Sequence, residues 1–156
     1  MKNLIKYLII SYAFISCKPS GKPTVEKEVQ IVTKQKPAQI VEFAISQLKI
    51  AVLSQNKDSI IQKLDRSFVQ KQLVNILKEN KVQLLNELFC GKDKLNNFKC
   101  IDYNKITDIK LINSTPKENG YSVNIQVKTV ENTIKTHLLL KISNQNKILG
   151  FVGSAG

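Results

Sequence analysis

From position 37 onward apolar residues recur at three- and four-residue steps. Ile40, Val41, Ala44, Ile45, Leu48 and Val52 fall on one face of a helix that ends near Ser54. Asn56-Lys57-Asp58-Ser59 breaks the pattern, and Asp58 or Ser59 is placed to cap a short second helix holding Ile60, Ile61 and Leu64, which stops near Asp65. Ser67-Phe68-Val69-Gln70 has the spacing of a capping box, in which hydroxyl and amide satisfy unpaired backbone donors. It opens a third helix through Leu73, Val74, Ile76 and Leu77. Leu84, Leu85, Leu88 and Phe89 extend or repeat that helix up to Gly91, the predicted helix terminator.

After Cys100 the period falls to two. Residues 106–113 are rich in β-branched side chains, and Pro116, Asn119 and Gly120 mark a turn. Tyr121, Val123, Ile125 and Val127 alternate with Ser122, Asn124, Gln126 and Lys128, the pattern of a half-buried strand. Glu131-Asn132 turns the chain into Ile134, Thr136, Leu138, Leu140 and Ile142. His137 shares its parity with Lys135 and Lys141, so it is predicted to face solvent. Asn144-Gln145-Asn146 turns again, and residues 147–152 close the sheet. Helices followed by a meander predict an α+β fold, with the N-terminal helices packed on one face of a curved antiparallel sheet of about four strands.

Upstream, the apolar run from Leu4 to Ser16 begins after Lys2, contains Lys6 and ends at Cys17. It is too short and too interrupted for a membrane-spanning helix, which needs about 20 residues. A positive start, an apolar stretch and a small residue before the cysteine are the parts of an export signal. Phe14-Ile15-Ser16-Cys17 resembles the lipobox of bacterial lipoproteins, with Phe14 where leucine is usual. The resemblance implies cleavage after Ser16 and acylation of Cys17. Several acyl chains, each buried methylene contributing about 0.8 kcal/mol, then hold the protein at a bilayer. A simple signal peptide or short signal anchor with an incidental cysteine is the alternative. The organisation expected is a signal peptide over residues 1–16, a lipidated flexible tether over residues 17–36 containing Lys18-Pro19-Ser20-Gly21-Lys22-Pro23-Thr24, and an α+β domain over residues 37–156. By the same resemblance, Lys18 after the cysteine implies the outer membrane of a bacterial cell envelope, on its periplasmic or surface side.

Charge narrows the partners. The formal charge of +12 falls to +10 once Lys2 and Lys6 are removed. Arg66 is the only arginine, the lysines are scattered and no aromatic platform interleaves them, so nucleic acid is not expected as a partner. A basic protein at an envelope is drawn instead to acidic proteins or anionic headgroups, an attraction that salt screens. With Cys17 taken by lipid, Cys90 and Cys100 remain as an even pair in an oxidising compartment, predicted to form a structural disulfide that contributes about 2–3 kcal/mol. Zinc lacks ligands, because His137 is the single histidine and there is no second cysteine pair. The Cys-x-x-Cys spacing of a redox pair is also absent.

The order of elements, the start helix over residues 44–53, Lys57-Asp58-Ser59-Ile60 and the terminal Lys147-Ile148-Leu149-Gly150-Phe151 resemble the nuclear transport factor two-like superfamily over residues 37–153. A cystatin-like exported domain has related topology. The superfamily resemblance implies a cone whose mouth is lined by Phe43, Phe68, Phe89, Tyr103, Tyr121 and Phe151 and takes an apolar small ligand, or an open sheet face that takes a protein partner. Enzymatic members carry acid-base side chains inside the cone. Here Asp65, Asp102 and Asp108 are single carboxylates near element ends, placed for capping or solvation, and no carboxylate pair, nucleophile-base set or phosphate loop is present. The sequence therefore predicts no catalytic residues, no cofactor and no metal. Its reading is a membrane-anchored lipoprotein acting as a non-catalytic binding or accessory module. The alternatives are a small-molecule isomerase or dehydratase of the same superfamily, and a periplasmic inhibitor or immunity protein.

Overall fold

The computed structural model describes residues 37–153; residues 1–36, where the signal peptide and tether are expected, and residues 154–156 lie outside the described residues. Helix α1 (Pro37–Leu53) buries the apolar stripe that its sequence spells out, with Val41, Ala44, Ile45, Leu48 and Val52 all in the core. Asn56, not Asp58 or Ser59, caps α2 (Lys57–Ile61): its side-chain oxygen accepts from the N–H groups of Asp58 at 3.0 Å and Ser59 at 3.1 Å. The predicted capping box at Ser67 is likewise displaced. Asp65 caps α3 (Arg66–Gln70) by accepting from the Phe68 N–H at 3.0 Å, and Ser67 donates its hydroxyl to Asp65. The third helix then widens into a π-helical stretch over Lys71–Ile76, and α4 (Lys81–Leu88) follows an Asn80 cap. Gly91 does not terminate that helix. It lies inside a strand.

The sheet has six strands, two more than the alternation indicates, because residues 90–100 form a hairpin. β1 (Cys90–Lys92) pairs with β2 (Phe98–Cys100) so that Cys90 stands opposite Cys100, and the two are joined as a disulfide across the hairpin. After a 3-10 turn at Tyr103–Lys105 come β3 (Asp108–Lys117), β4 (Gly120–Lys128), β5 (Thr133–Ile142) and β6 (Ile148–Gly153). All strand pairs are antiparallel. β5 is the spine. It pairs with β4 from Thr133 to Lys141, and its other edge takes β1 at Lys135 and β6 from Leu138 onward.

Alternation decides what the helices cover. Ile109 on β3, Val123, Ile125 and Val127 on β4, Ile134, Leu138 and Leu140 on β5 and Phe151 on β6 share one core with the stripes of α1, α2 and α4. Two close approaches fix how the pieces meet. A Cβ on Gly91 would collide with the Lys135 carbonyl, so only glycine lets β1 sit against β5. At Gly150 the link between α2 and α3 lies against β6. Phe151 donates its N–H to the Lys63 carbonyl, and its carbonyl accepts from the Asp65 N–H, both at 2.9 Å.

Candidate functional site

Burial of Val123, Ile125 and Val127 on β4 and of Ile134, Thr136, Leu138 and Leu140 on β5 sends the residues between them to the other face of the sheet. Strand register lines these residues up in rows. Lys110 stands opposite Gln126, Gln126 opposite Lys135, and Lys135 opposite Lys92. The next row is Asn113, Asn124 and His137, and the one after it Thr115, Ser122, Leu139 and Val152. All of these side chains are exposed or half-buried. The face is polar and basic.

His137 lies on the predicted side, but it is half-buried and held: Ser122 Oγ is 2.6 Å from its Nε2. Beside it Asn124 Nδ2 donates to Asn113 Oδ1 at 2.8 Å. A hydroxyl against an imidazole is the beginning of a nucleophile-base pair, yet acyl transfer also needs donors aimed at an oxyanion. β4 is flanked by β3 and β5, and β5 by β4 and by β1 and β6, so the backbone N–H groups around Ser122 serve the sheet. The contact acts as a cross-strand hydrogen bond.

A cluster of like charge lies where the hairpin meets β5. Lys92 and Lys135 face each other on neighbouring strands, an arrangement of like charges that is unfavourable in itself. With Lys94, Gln126, Asn96, Thr133 and Asp93 they line a recess of about 490 Å³. None of the three lysines has an ion-pair partner among the described residues. Asp93 does not neutralise them. It accepts from the Asn97 N–H at 2.9 Å and the Leu95 N–H at 2.8 Å, and it pairs with Lys99 at 3.1 Å. The Asn97 N–H, together with these other donors, holds its carboxyl below the usual 3.8.

Asp65, Asp102 and Asp108 each pair with a lysine. Asp108 pairs with Lys49 at 2.5 Å and Asp102 with Lys105 at 3.4 Å. Buried Asp65 accepts from Ser67, the Phe68 N–H and, at 3.1 Å, Lys141. Burial pushes its carboxyl up, but the hydrogen bonds from Ser67, Phe68 and Lys141 outweigh this and the net shift is downward from 3.8. A depressed carboxylate contributes stability that is present above its unfolded value and disappears as pH falls through the folded one. Asp65→Asn is therefore expected to lower stability by about 1–3 kcal/mol at neutral pH and to narrow its gap to the native chain below 3.8. Urea unfolding of both proteins across that range measures it.

The six aromatic residues assigned to a cone mouth differ in burial. Phe89, Tyr103 and Phe151 are buried in the core, and Phe68 and Tyr121 are half-buried against it. Phe43 is 54% exposed on α1, at the edge of a shallow groove of about 240 Å³ that it shares with Phe151 and Leu149. Among the described residues no three His, Cys, Asp or Glu side chains are grouped to hold a metal, and no helix is long and apolar enough to cross a membrane. Lys92, Lys94 and Lys135 were not singled out by the sequence reading. A hairpin spanning Cys90 and Cys100 would have placed Lys92 and Lys94 on one turn, but Lys135 joins them only through the pairing of β1 with β5. No protein-family model matches the chain, and no curated protein or solved structure matches it.

Proposed function

We propose that this chain is a lipid-anchored protein of a bacterial cell envelope, acting there as a non-catalytic binding or accessory module. The observation that carries the reading is Phe14-Ile15-Ser16-Cys17 at the end of a short apolar run that starts with Lys2. The Cys90–Cys100 disulfide supports it, since such bonds persist in oxidising compartments.

The finer plan of the domain is the cone of the nuclear transport factor two-like superfamily. Supporting it are helices that precede a long meander and two register shifts, between Leu111 and Asn113 and between Lys141 and Ile142, which bend the sheet. On that plan the helices fill the concave side. Its inward strand positions are apolar apart from Thr136, which donates its hydroxyl to the Cys90 carbonyl. Recognition then falls to the basic outer face, where Lys92, Lys135 and Lys110 stand in one row.

Fractionation after a high-salt wash tests the anchor. The native chain is expected to stay with the membranes. The same chain, exported behind a cleavable signal that leaves Cys17→Ser at its start, is expected in the soluble envelope fraction. Equal retention of the two would exclude an acyl anchor.

A further inference from the structure

The two turns at one end of the sheet carry the most exposed apolar side chains among the described residues. Leu95, in the turn between β1 and β2, is 81% exposed, and Val130, in the turn between β4 and β5, is 92% exposed. Phe98 beside the first turn is 65% exposed. Register places both turns at the same end: β1 runs antiparallel to β5, so from the Lys92–Lys135 pair the hairpin continues toward Thr133, and Asn96 and Thr133 line the same recess.

We infer that this end of the domain docks on an anionic lipid bilayer. Leu95 and Val130 enter the headgroup layer, and the recess of Lys92, Lys94 and Lys135 takes lipid phosphates. Three observations point to a bilayer. The apolar side chains stand singly on protruding turns, which suits a deformable surface; a folded partner would need matching sockets for them. The lysines next to them have no ion-pair partner among the described residues, so a phosphate relieves the repulsion between Lys92 and Lys135. Of the two turns' carboxylates, Asp93 is committed to Leu95, Asn97 and Lys99, which leaves Glu131 against the lysines. The choice of a bilayer over an acidic protein rests on the acylation signal at Cys17, while the docking itself needs no lipid on the chain.

Co-sedimentation with vesicles tests this on the chain that begins at residue 17 and carries Cys17→Ser. It is expected to sediment with vesicles of phosphatidylglycerol and phosphatidylethanolamine at low salt, to come off as salt rises, and to ignore vesicles of phosphatidylcholine alone. Lys92→Ala with Lys135→Ala should weaken partitioning about 25-fold, at about fivefold for each lysine near the surface. Leu95→Asp with Val130→Asp should weaken it at least as much. Val74→Asp, at an exposed apolar position on the π-helical stretch, should leave it unchanged. Leu95 and Val130 bury little, so circular dichroism of the paired variant should match the parent. Binding that is indifferent to the turn variants, no binding to anionic vesicles, or salt-sensitive capture of an acidic protein in place of vesicles would each overturn the inference. None of these outcomes touches acylation of Cys17, which is read separately by mass.

Discussion

Gly150→Val is expected to destabilise the domain by more than about 3 kcal/mol. Two causes act together. Gly150 has φ of 130°, a conformation that side chains with a Cβ rarely adopt. A Cβ there would also stand 2.5 Å from the Asp65 N and closer still to the Leu64 carbonyl carbon, and both of these are backbone atoms that no rotamer change can move aside. The contact is what lets the link between α2 and α3 add to the edge of β6 through Phe151. Relief by sliding the link away would break both 2.9 Å hydrogen bonds and lift Asp65 from Lys141. Denaturant unfolding of the purified variant, or its failure to accumulate as folded protein, measures the effect. A variant within about 1 kcal/mol of the native chain would show that the link does not need to lie against β6.

Phe151→Ala is expected to cost about 3–5 kcal/mol, while Phe43→Ala stays within about 0.5 kcal/mol. Phe151 is buried in the single cluster that also holds Leu48, Ile60 and Leu140, so truncation leaves a cavity among rigid neighbours. Phe43 looks outward from α1 and loses little. The pair separates an aromatic that fills the core from one that stands at the surface. Comparable costs at the two positions would contradict the division.

That division also shows where the sequence was readable. The stripe of α1 and the alternation of β4 and β5 are long enough for period alone to specify the buried face, and Val41, Leu48, Val123, Ile125, Ile134 and Leu138 are all buried as expected. Short elements carried no such signal. β1 and β2 have three residues each, fewer than an alternation needs, and their turn is set by Asp93 accepting two backbone N–H groups and by Asn96 at φ of 66°. Gly91 had an equally good local reading as a helix end. Its real requirement is the Lys135 carbonyl, 44 positions away in the chain, which local pattern cannot reveal. The caps were misassigned for a related reason. Asn56, Asp58 and Ser59 are all good cap residues within one turn, and the backbone geometry selected the first.

The candidate site was harder still. Residue type alone does not separate a pocket aromatic from a core one, and tertiary packing puts three of the six in the core. The basic recess depends on register between strands far apart in sequence, because Lys92 and Lys135 meet only when the hairpin docks on β5. Lysines that look scattered along the chain become one row on the sheet.

The proposed anchor is a set of fatty acyl chains on Cys17 that hold the protein at a bilayer. Intact mass of the protein purified from membranes of its native cell decides whether that anchor exists. The expected result is a chain that begins at Cys17, with residues 1–16 removed and a diacylglyceryl group on its sulfur, alone or with a further acyl chain on the new amino terminus. A chain that still begins at Met1, or one that begins at position 17 with no added mass, would contradict it.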